Sequence, residues 1–412
     1  MPEHAQKHVI NSYFARHELK IRERLLALLG EMVAQRTVNV ISERLKDFPF
    51  LKTRGEEYRV AAIVKKELQR LGVPFDAYEP APGRSNVIAR CGQNANGERL
   101  LVAAHMDVVP PGDGWSSDPW RMEVRDGKVY GRGVLDNKGP LVSCLLALEA
   151  LVATGAAHSL PGEFQVACLA DEEAGDGPDC GIGYLLKEQL IHPTMAVIPD
   201  IGGNMMEIDI AEKGGMVLKV TARGVQAHGS TPERGDNAVT RMACWLANFS
   251  VDALTFNQDP VLGKPTVNVG QIRGGAAPNI VPSQCEALLD IRLVRSMTQE
   301  SVLADVRRSM GKEAARFDLQ VLAAGRPHSI AADNPLVQAI QANSETYFGR
   351  SPVAMGMGGG TFAKTLNLAG IPAVGFGPGD DRAFHMADEY VEITQLVDFA
   401  RLLCLIGLDL LA

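Results

Sequence analysis

Thiolate chemistry is the first thing this chain does without. Its seven cysteines, at 91, 144, 168, 180, 244, 285 and 404, are odd in number, scattered, and never in C-x-x-C spacing. That excludes a disulfide framework and a thiolate zinc site, and suits reduced core thiols. Any metal here must use nitrogen and oxygen ligands. No block of like charges occurs, and a formal charge of −8 with a pI near 5.7 gives no basic surface for nucleic acid. No apolar run is long enough to span a membrane, and the N-terminal stretch has no apolar signal core. The expectation is a cytoplasmic protein without a membrane or nucleic-acid partner. Solenoid repeats and low-complexity linkers are also missing. The glycine-rich stretch MGMGGGT at 355–361 lacks a G-K-[S/T] ending and the strand–GxGxxG–helix context of a dinucleotide site, which argues against a nucleotide-binding dehydrogenase.

What is present is ordinary globular composition, 46% hydrophobic and 22% charged, over 412 residues. That length exceeds what one core usually supports, so two domains are expected. Apolar positions at helical spacing predict amphipathic helices over 13–38 and 56–71, the second stopped by Gly72. Strands follow at 86–90 and 99–104, a helix at 139–155, a strand at 164–169, a short helix at 181–190 and a strand at 195–198. Strands alternating with helices imply an α/β fold with a doubly wound, mostly parallel sheet. The texture changes near 213. Strand 216–222, helix 237–249, strands 265–273 and 284–294, helix 298–316 and strand 317–323 spell βαββαβ, the pattern of a ferredoxin-like α+β domain. Helices at 334–348 and 394–411, a glycine loop at 356–360 leading into 361–366, and a strand at 371–376 then resume the first texture. The expected organisation is one α/β domain from 1–212 and 324–412, with 213–323 inserted.

Chemistry-bearing residues fall repeatedly just beyond strand ends, where open α/β sheets place their ligand sites. The run LLVAA at 100–104 ends in His105-Met106-Asp107. Residues two apart on a strand share a face, which sets an imidazole beside a carboxylate. A lone histidine is usually structural, but this pair favours a ligand, His105, with Asp107 fixing its tautomer. Gly131-Arg132-Gly133 then frees the backbone to deliver Asp136, a turn aspartate if read alone and a bridging metal carboxylate if read with His105. Glu172 and Glu173 could be a solvated acidic pair, or could divide the work of ligand and general base for a water. Asp200 could cap a turn, and His385 could be one more surface histidine. The set is stronger than its members.

The series HMD at 105–107, GRGVLDNKG at 131–139, DEE at 171–173, PD at 199–200, AHGS at 227–230, NIVP at 279–282, the glycine-rich 356–361 and His385 resembles metallopeptidase family 20, in the family's order and over nearly the whole chain. That family includes carboxypeptidase G, acetylornithine deacetylase, succinyl-diaminopimelate desuccinylase, aminoacylase and dipeptidases. The resemblance implies a di-zinc exopeptidase-type, phosphorylase/hydrolase-like domain with an inserted lid or dimerisation domain. It implies two divalent ions: Asp136 bridging, His105 and Asp200 completing one site, Glu173 and His385 the other. Zinc suits these donors, and cobalt or manganese would be accepted by the same types. Glu172 would be the general base for a metal-bound hydroxide, available because metal binding lowers the pKa of water from 15.7 to roughly 7. His228 would stabilise an oxyanion across a homodimer interface, its bland alternative being a turn histidine. Asn279 and Arg292 would hold a substrate carboxylate, although Arg292 could equally be a surface charge. Gly359 and Gly360 would offer backbone N–H groups to a carboxylate, with Thr361 adding a hydroxyl. An aspartate at 200, rather than glutamate, resembles the dipeptidase and aminopeptidase members. The expected substrate is a small dipeptide, with an N-acyl amino acid as the alternative.

Overall fold

The structure, a computed structural model, describes residues 3–39, 55–173 and 180–412. The chain divides into two compact units: Met1–Ile210 with Ile330–Ala354 and Thr361–Ala412, and Ala211–Ser329 with Met355–Gly360.

The first unit is built on a sheet whose centre is parallel. Arg99–His105 lies between Glu163–Leu169 and Met195–Ile198, parallel to both, and Ala373–Gly375 joins Met195–Ile198 in parallel. Arg84–Gly92 and Phe75–Ala81 extend one side antiparallel, and Glu207–Glu212 extends the other. Central strands of this kind are covered on both faces, so their sequences are continuously apolar. Residues Leu100 to Ala104 are accordingly all buried. Leu101 and Ala103 point to one face, among Ile182, Leu185, Phe362 and Leu366 from the helices Ile182–Lys187 and Phe362–Leu368. The helix Lys138–Ala153 packs on Arg99–His105 and against the C-terminal helix Ile393–Leu410. It is buried on nearly every side rather than along one stripe, because it lies between two layers.

Two helical expectations are corrected. The pattern at 13–38 is not one helix but two, Glu3–Arg16 and Glu18–Val33, with His17 at φ −112°, ψ 16° between them. The break is a local backbone departure across which the apolar spacing continues, so periodicity alone could not see it. Leu19, expected on the apolar side, is 77% exposed. The helix expected at 298–316 ends as Gln299–Ser309, and a 3₁₀ segment, Gly311–Arg316, follows. Gly311 takes φ +55°, the left-handed conformation that stops a helix. Strands not anticipated include Phe75–Ala81, Glu207–Glu212 and Val353–Met357. The first, FDAYEPA, is an exposed edge strand containing proline and carries little apolar signal.

The second unit holds a four-stranded antiparallel sheet in the order Thr266–Gly274, Gln284–Leu293, Gly214–Arg223, Phe317–Gly325. Gly214–Arg223 alternates buried and half-buried positions along its length. Its inward residues Met216, Leu218, Val220 and Ala222 pack with Met242 and Trp245 of the helix Ala238–Leu246 and Val302 and Val306 of Gln299–Ser309. Among the described residues no helix is long and apolar enough to cross a membrane.

Candidate metal centre

Strand ends in the first unit deliver the reactive groups. Arg99–His105 ends on His105, Glu163–Leu169 leads to Glu172 and Glu173, and Met195–Ile198 leads to Asp200. Asp136 comes from the glycine loop immediately before the helix Lys138–Ala153. His385 comes from the loop after Ala373–Gly375, with a left-handed φ of 59°. Ligand atoms of His105, Asp136 and Asp200 lie within 4.8 Å of one another, and so do those of Asp136, Glu173 and His385, and of His105, Glu172 and Glu173.

Asp136 faces both histidines, one with each oxygen. Its Oδ1 is 2.9 Å from His105 Nε2, and its Oδ2 is 3.1 Å from His385 Nε2. Asp200 Oδ1 lies 3.4 Å from His105 Nε2. His105 Nδ1 is 2.9 Å from the Asp107 carbonyl, so that nitrogen must donate, and the Nε2 lone pair is left to face the cluster in the neutral ring. The Asp107 carboxylate is 3.5 Å from the same Nδ1 and accepts from the backbone N–H of Glu172 (3.3 Å) and Glu173 (3.0 Å). It therefore orients the histidine and also anchors the backbone of the adjacent acids.

Packing five carboxylates together, with Asp107, Asp136 and Glu173 buried and Glu172 and Asp200 half-buried, has electrostatic consequences. Burial, reinforced by neighbouring acids, pushes Asp200 up to about 7 and holds Glu172 well above the usual carboxylate range. Burial also raises Glu173, against the hydrogen bond from His385. Asp136 is held low despite burial, because His105 and His385 both bond to it. Burial opposes charge on His105, but Asp200, Asp107 and Asp136 outweigh it and raise the imidazole well above its ordinary value. His385, bonded to Asp136 and Glu173, is raised to about 10. Glu173 Oε1 is buried, and His385 Nε2 approaches it only at 3.5 Å, which leaves its hydrogen-bonding capacity largely unused. A dense negative cluster with imidazole nitrogens and an under-bonded carboxylate oxygen matches what one or two hard-to-borderline divalent cations require.

Seven of the residues singled out from sequence meet here: His105, Asp107, Asp136, Glu172, Glu173, Asp200 and His385. Thr361 belongs to the same unit, and its hydroxyl caps the helix Phe362–Leu368 by accepting from Ala363 N–H at 3.1 Å. The second unit carries the others. His228 is exposed, and its Nδ1 accepts from the Ser230 N–H at 3.1 Å, which places the ring proton on Nε2 in the neutral tautomer. Asn279 lies beside it, accepting from the Gly229 N–H at 2.7 Å. Arg292 is paired with Asp290 at 2.9 Å, and its Nη1 is 3.5 Å from the Gly358 carbonyl, next to Gly359 and Gly360.

Several supporting residues escaped the sequence reading. Asn39 donates to Asp107 Oδ2 at 2.7 Å, and Asn137 donates to Asp200 Oδ1 at 3.1 Å. Arg132 and Glu389 lie fully buried beneath the loop of Asp136. Asn137 and Arg132 sat inside a motif already noticed; a lone asparagine at 39 and a glutamate at 389 carry no pattern of their own.

Acids and imidazoles gathered at the carboxyl ends of a parallel sheet, with a further carboxylate beside them, form a candidate centre for metal-dependent hydrolysis. The chain belongs to Peptidase family M20/M25/M40, whose description matches residues 101–408. It is 30% identical over 385 residues to the acetylornithine deacetylase of Myxococcus xanthus, spanning 90% of this chain and 94% of that one. Its fold is similar to human carnosine dipeptidase 1, with a TM-score of 0.74 at 18% identity over 98% of each chain. It is similar also to aminopeptidase PepT from Bacillus cereus, with a TM-score of 0.73 at 22% identity over 94% of this chain and 98% of the other.

Proposed function

We propose that this hydrolase is a dinuclear-zinc dipeptidase or aminopeptidase. The observation that carries the reading is Asp136, whose two oxygens face two different histidines, the disposition of a carboxylate shared between two cations. His105, Asp136 and Asp200 would hold one ion; Asp136, Glu173 and His385 would hold the other. When bound, such a pair supplies Lewis acidity to the amide carbonyl and to the attacking water. Glu172 takes the water proton on its carboxylate and passes it to the leaving nitrogen. Its carboxylate lies with His105 and Glu173, their ligand atoms within 4.8 Å of one another, which puts the proton acceptor beside groups that would hold the cations. Asp107 keeps Glu172 in place through the backbone N–H and keeps the His105 Nε2 lone pair turned inward. From the second unit, the Nε2 proton of His228 is available to an oxyanion, and Asn279, Arg292 and the N–H groups of Gly359 and Gly360 are suited to a substrate carboxylate. We read the second unit as lid and dimerisation domain of a homodimer.

An aspartate at 200 supports a peptidase, as does the likeness of fold to a carnosine dipeptidase and an aminopeptidase. The similarity to an acetylornithine deacetylase favours a second reading, removal of an acyl group from an N-acyl amino acid. One matched pair separates the two: a free dipeptide and the same residue carrying an N-acetyl group, each offered to zinc- and cobalt-loaded protein with an EDTA control. Chelator-sensitive cleavage of the dipeptide is expected. Cleavage of the acetyl compound alone would establish the deacylase instead, and no chelator-sensitive cleavage of either would refute both.

A further inference from the structure

Beneath the centre lies an ion pair that none of the roles above uses. Arg132 is 1% exposed and Glu389 is fully buried, and their charged groups meet at 2.6 Å, Arg132 Nη1 to Glu389 Oε2. Burying two charges is costly, and the cost is offset only where good geometry satisfies their remaining donors and acceptors. Here the groups that satisfy them, for every donor and acceptor but the buried Arg132 Nε, belong to the loops of the centre. Glu389 Oε1 accepts from the backbone N–H of Asp136 (3.0 Å), Leu135 (2.8 Å) and Gly133 (3.0 Å), and Oε2 shares the last at 3.0 Å. The Glu389 backbone carbonyl accepts from the Gly131 N–H at 3.1 Å. One carboxylate thus gathers the whole turn that presents Asp136. The turn can offer its N–H groups inward because Gly133 takes φ +89°, where a Cβ would come within 2.8 Å of Val108.

Arg132 ties this turn to the other side of the centre. Its Nη2 donates to the carbonyl of His385 at 3.3 Å and to those of Pro110 and Pro111 at 3.4 and 3.2 Å. His385 is the most exposed member of the cluster and sits in a loop with left-handed backbone, so its own surroundings hold it weakly. We infer that the Arg132–Glu389 pair is the positioning device of the centre, fixing Asp136 and His385 relative to each other so that both can engage the same cation. This inference rests on reading Asp136 and His385 as ligands. Neither member of the pair touches the reacting atoms. Losing an outer partner of a metal ligand typically costs 10–100-fold in metal affinity.

The test measures zinc affinity by competition with a chromophoric chelator, without substrate, on the full chain. Glu389→Gln keeps the shape and removes the charge; Arg132→Lys keeps the charge and removes the fork that spans Glu389 and the His385 carbonyl. Asp136→Asn tests the ligand reading itself. Asp259→Asn, in the second unit, is the control for loss of a buried carboxylate, since Asp259 is 6% exposed and pairs with Arg295 away from any proposed ligand. The expected result is a wild type that binds two ions and about a 10–100-fold weakening of one or both in Glu389→Gln and Arg132→Lys. Asp259→Asn should lose thermal stability while retaining wild-type affinity. Wild-type affinity in both members of the pair would overturn the inference, as would a loss equal to that of Asp259→Asn. If Glu389→Gln does not fold, Arg132→Lys decides alone. A wild type that binds no zinc, or an unchanged Asp136→Asn, would overturn the reading of the centre and the inference with it.

Discussion

Replacing Glu172 with glutamine separates chemistry from metal binding. The side chain of Glu172 makes no hydrogen bond among the described residues, and its backbone N–H is held by Asp107 Oδ1 at 3.3 Å whatever the side chain is. An amide of the same shape should therefore leave the cluster of His105, Asp136, Glu173, Asp200 and His385 in place. What it removes is the proton acceptor. General acid–base catalysis contributes about 10²–10⁴ in rate, and the same group here would serve two proton transfers, so kcat should fall toward the upper end of that range. Since tenfold in rate is 1.36 kcal/mol, a fall of about 10³–10⁴ is a loss of roughly 4–5.5 kcal/mol in transition-state stabilisation. The assay is steady-state hydrolysis of the dipeptide that the wild type cleaves, together with metal content by elemental analysis. Metal content and KM should stay close to wild type while kcat collapses. Retained kcat would refute the role of Glu172. Loss of metal along with kcat would mean that Glu172 is a ligand, and the division of labour between it and Glu173 would be wrong.

Two further outcomes are expected. In the second unit, Asp259 accepts from Arg295 Nε at 2.6 Å and from the backbone N–H of Val261 and Leu262 at 2.9 Å each. The Arg295 bond, against burial, holds its carboxyl well below the usual range. A depressed carboxylate contributes stability that is present above the unfolded pKa of about 3.9 and is lost as pH falls through the folded value. Asp259→Asn should cost about 1.5–3 kcal/mol at pH 7 and narrow its gap to wild type as the pH approaches 2, by urea unfolding at each pH; a gap that does not narrow would contradict the linkage. For His228, mixing the inactive variants His228→Ala and Glu172→Gln should restore part of the activity if each site borrows His228 from the other subunit. No recovery would confine His228 to its own chain or remove it from the mechanism.

The legible part of this protein was the part in which a short stretch both forms an element and ends in a reactive group. An apolar run closing on His105, a glycine turn before Asp136, and acids just past two further strands can be read locally, because strand burial and turn chemistry are properties of a few neighbouring residues. The βαββαβ order of the second unit was legible for the same reason, and its sheet order follows from that connectivity. The family resemblance added roles for residues such as His228 and Arg292 that no local pattern assigns. Hidden instead were features whose signal is weak or spread out: the edge strand Phe75–Ala81, the break at His17, and the supports Asn39 and Glu389.

By itself, then, the sequence determined the donor inventory, nitrogen and oxygen without thiolate, and the strand ends on which those donors ride. Only the tertiary structure decided which donors meet. Asp136 reaches His105 with one oxygen and His385 with the other because Ala373–Gly375 inserts beside Met195–Ile198 and returns the C-terminal loop to the carboxyl ends of the central strands. It also decided that Glu389, unremarkable in sequence, closes the turn beneath Asp136. Propensity and periodicity act over a few residues, whereas the partners of a buried charge are set by long-range packing, which brings together groups from opposite ends of the chain.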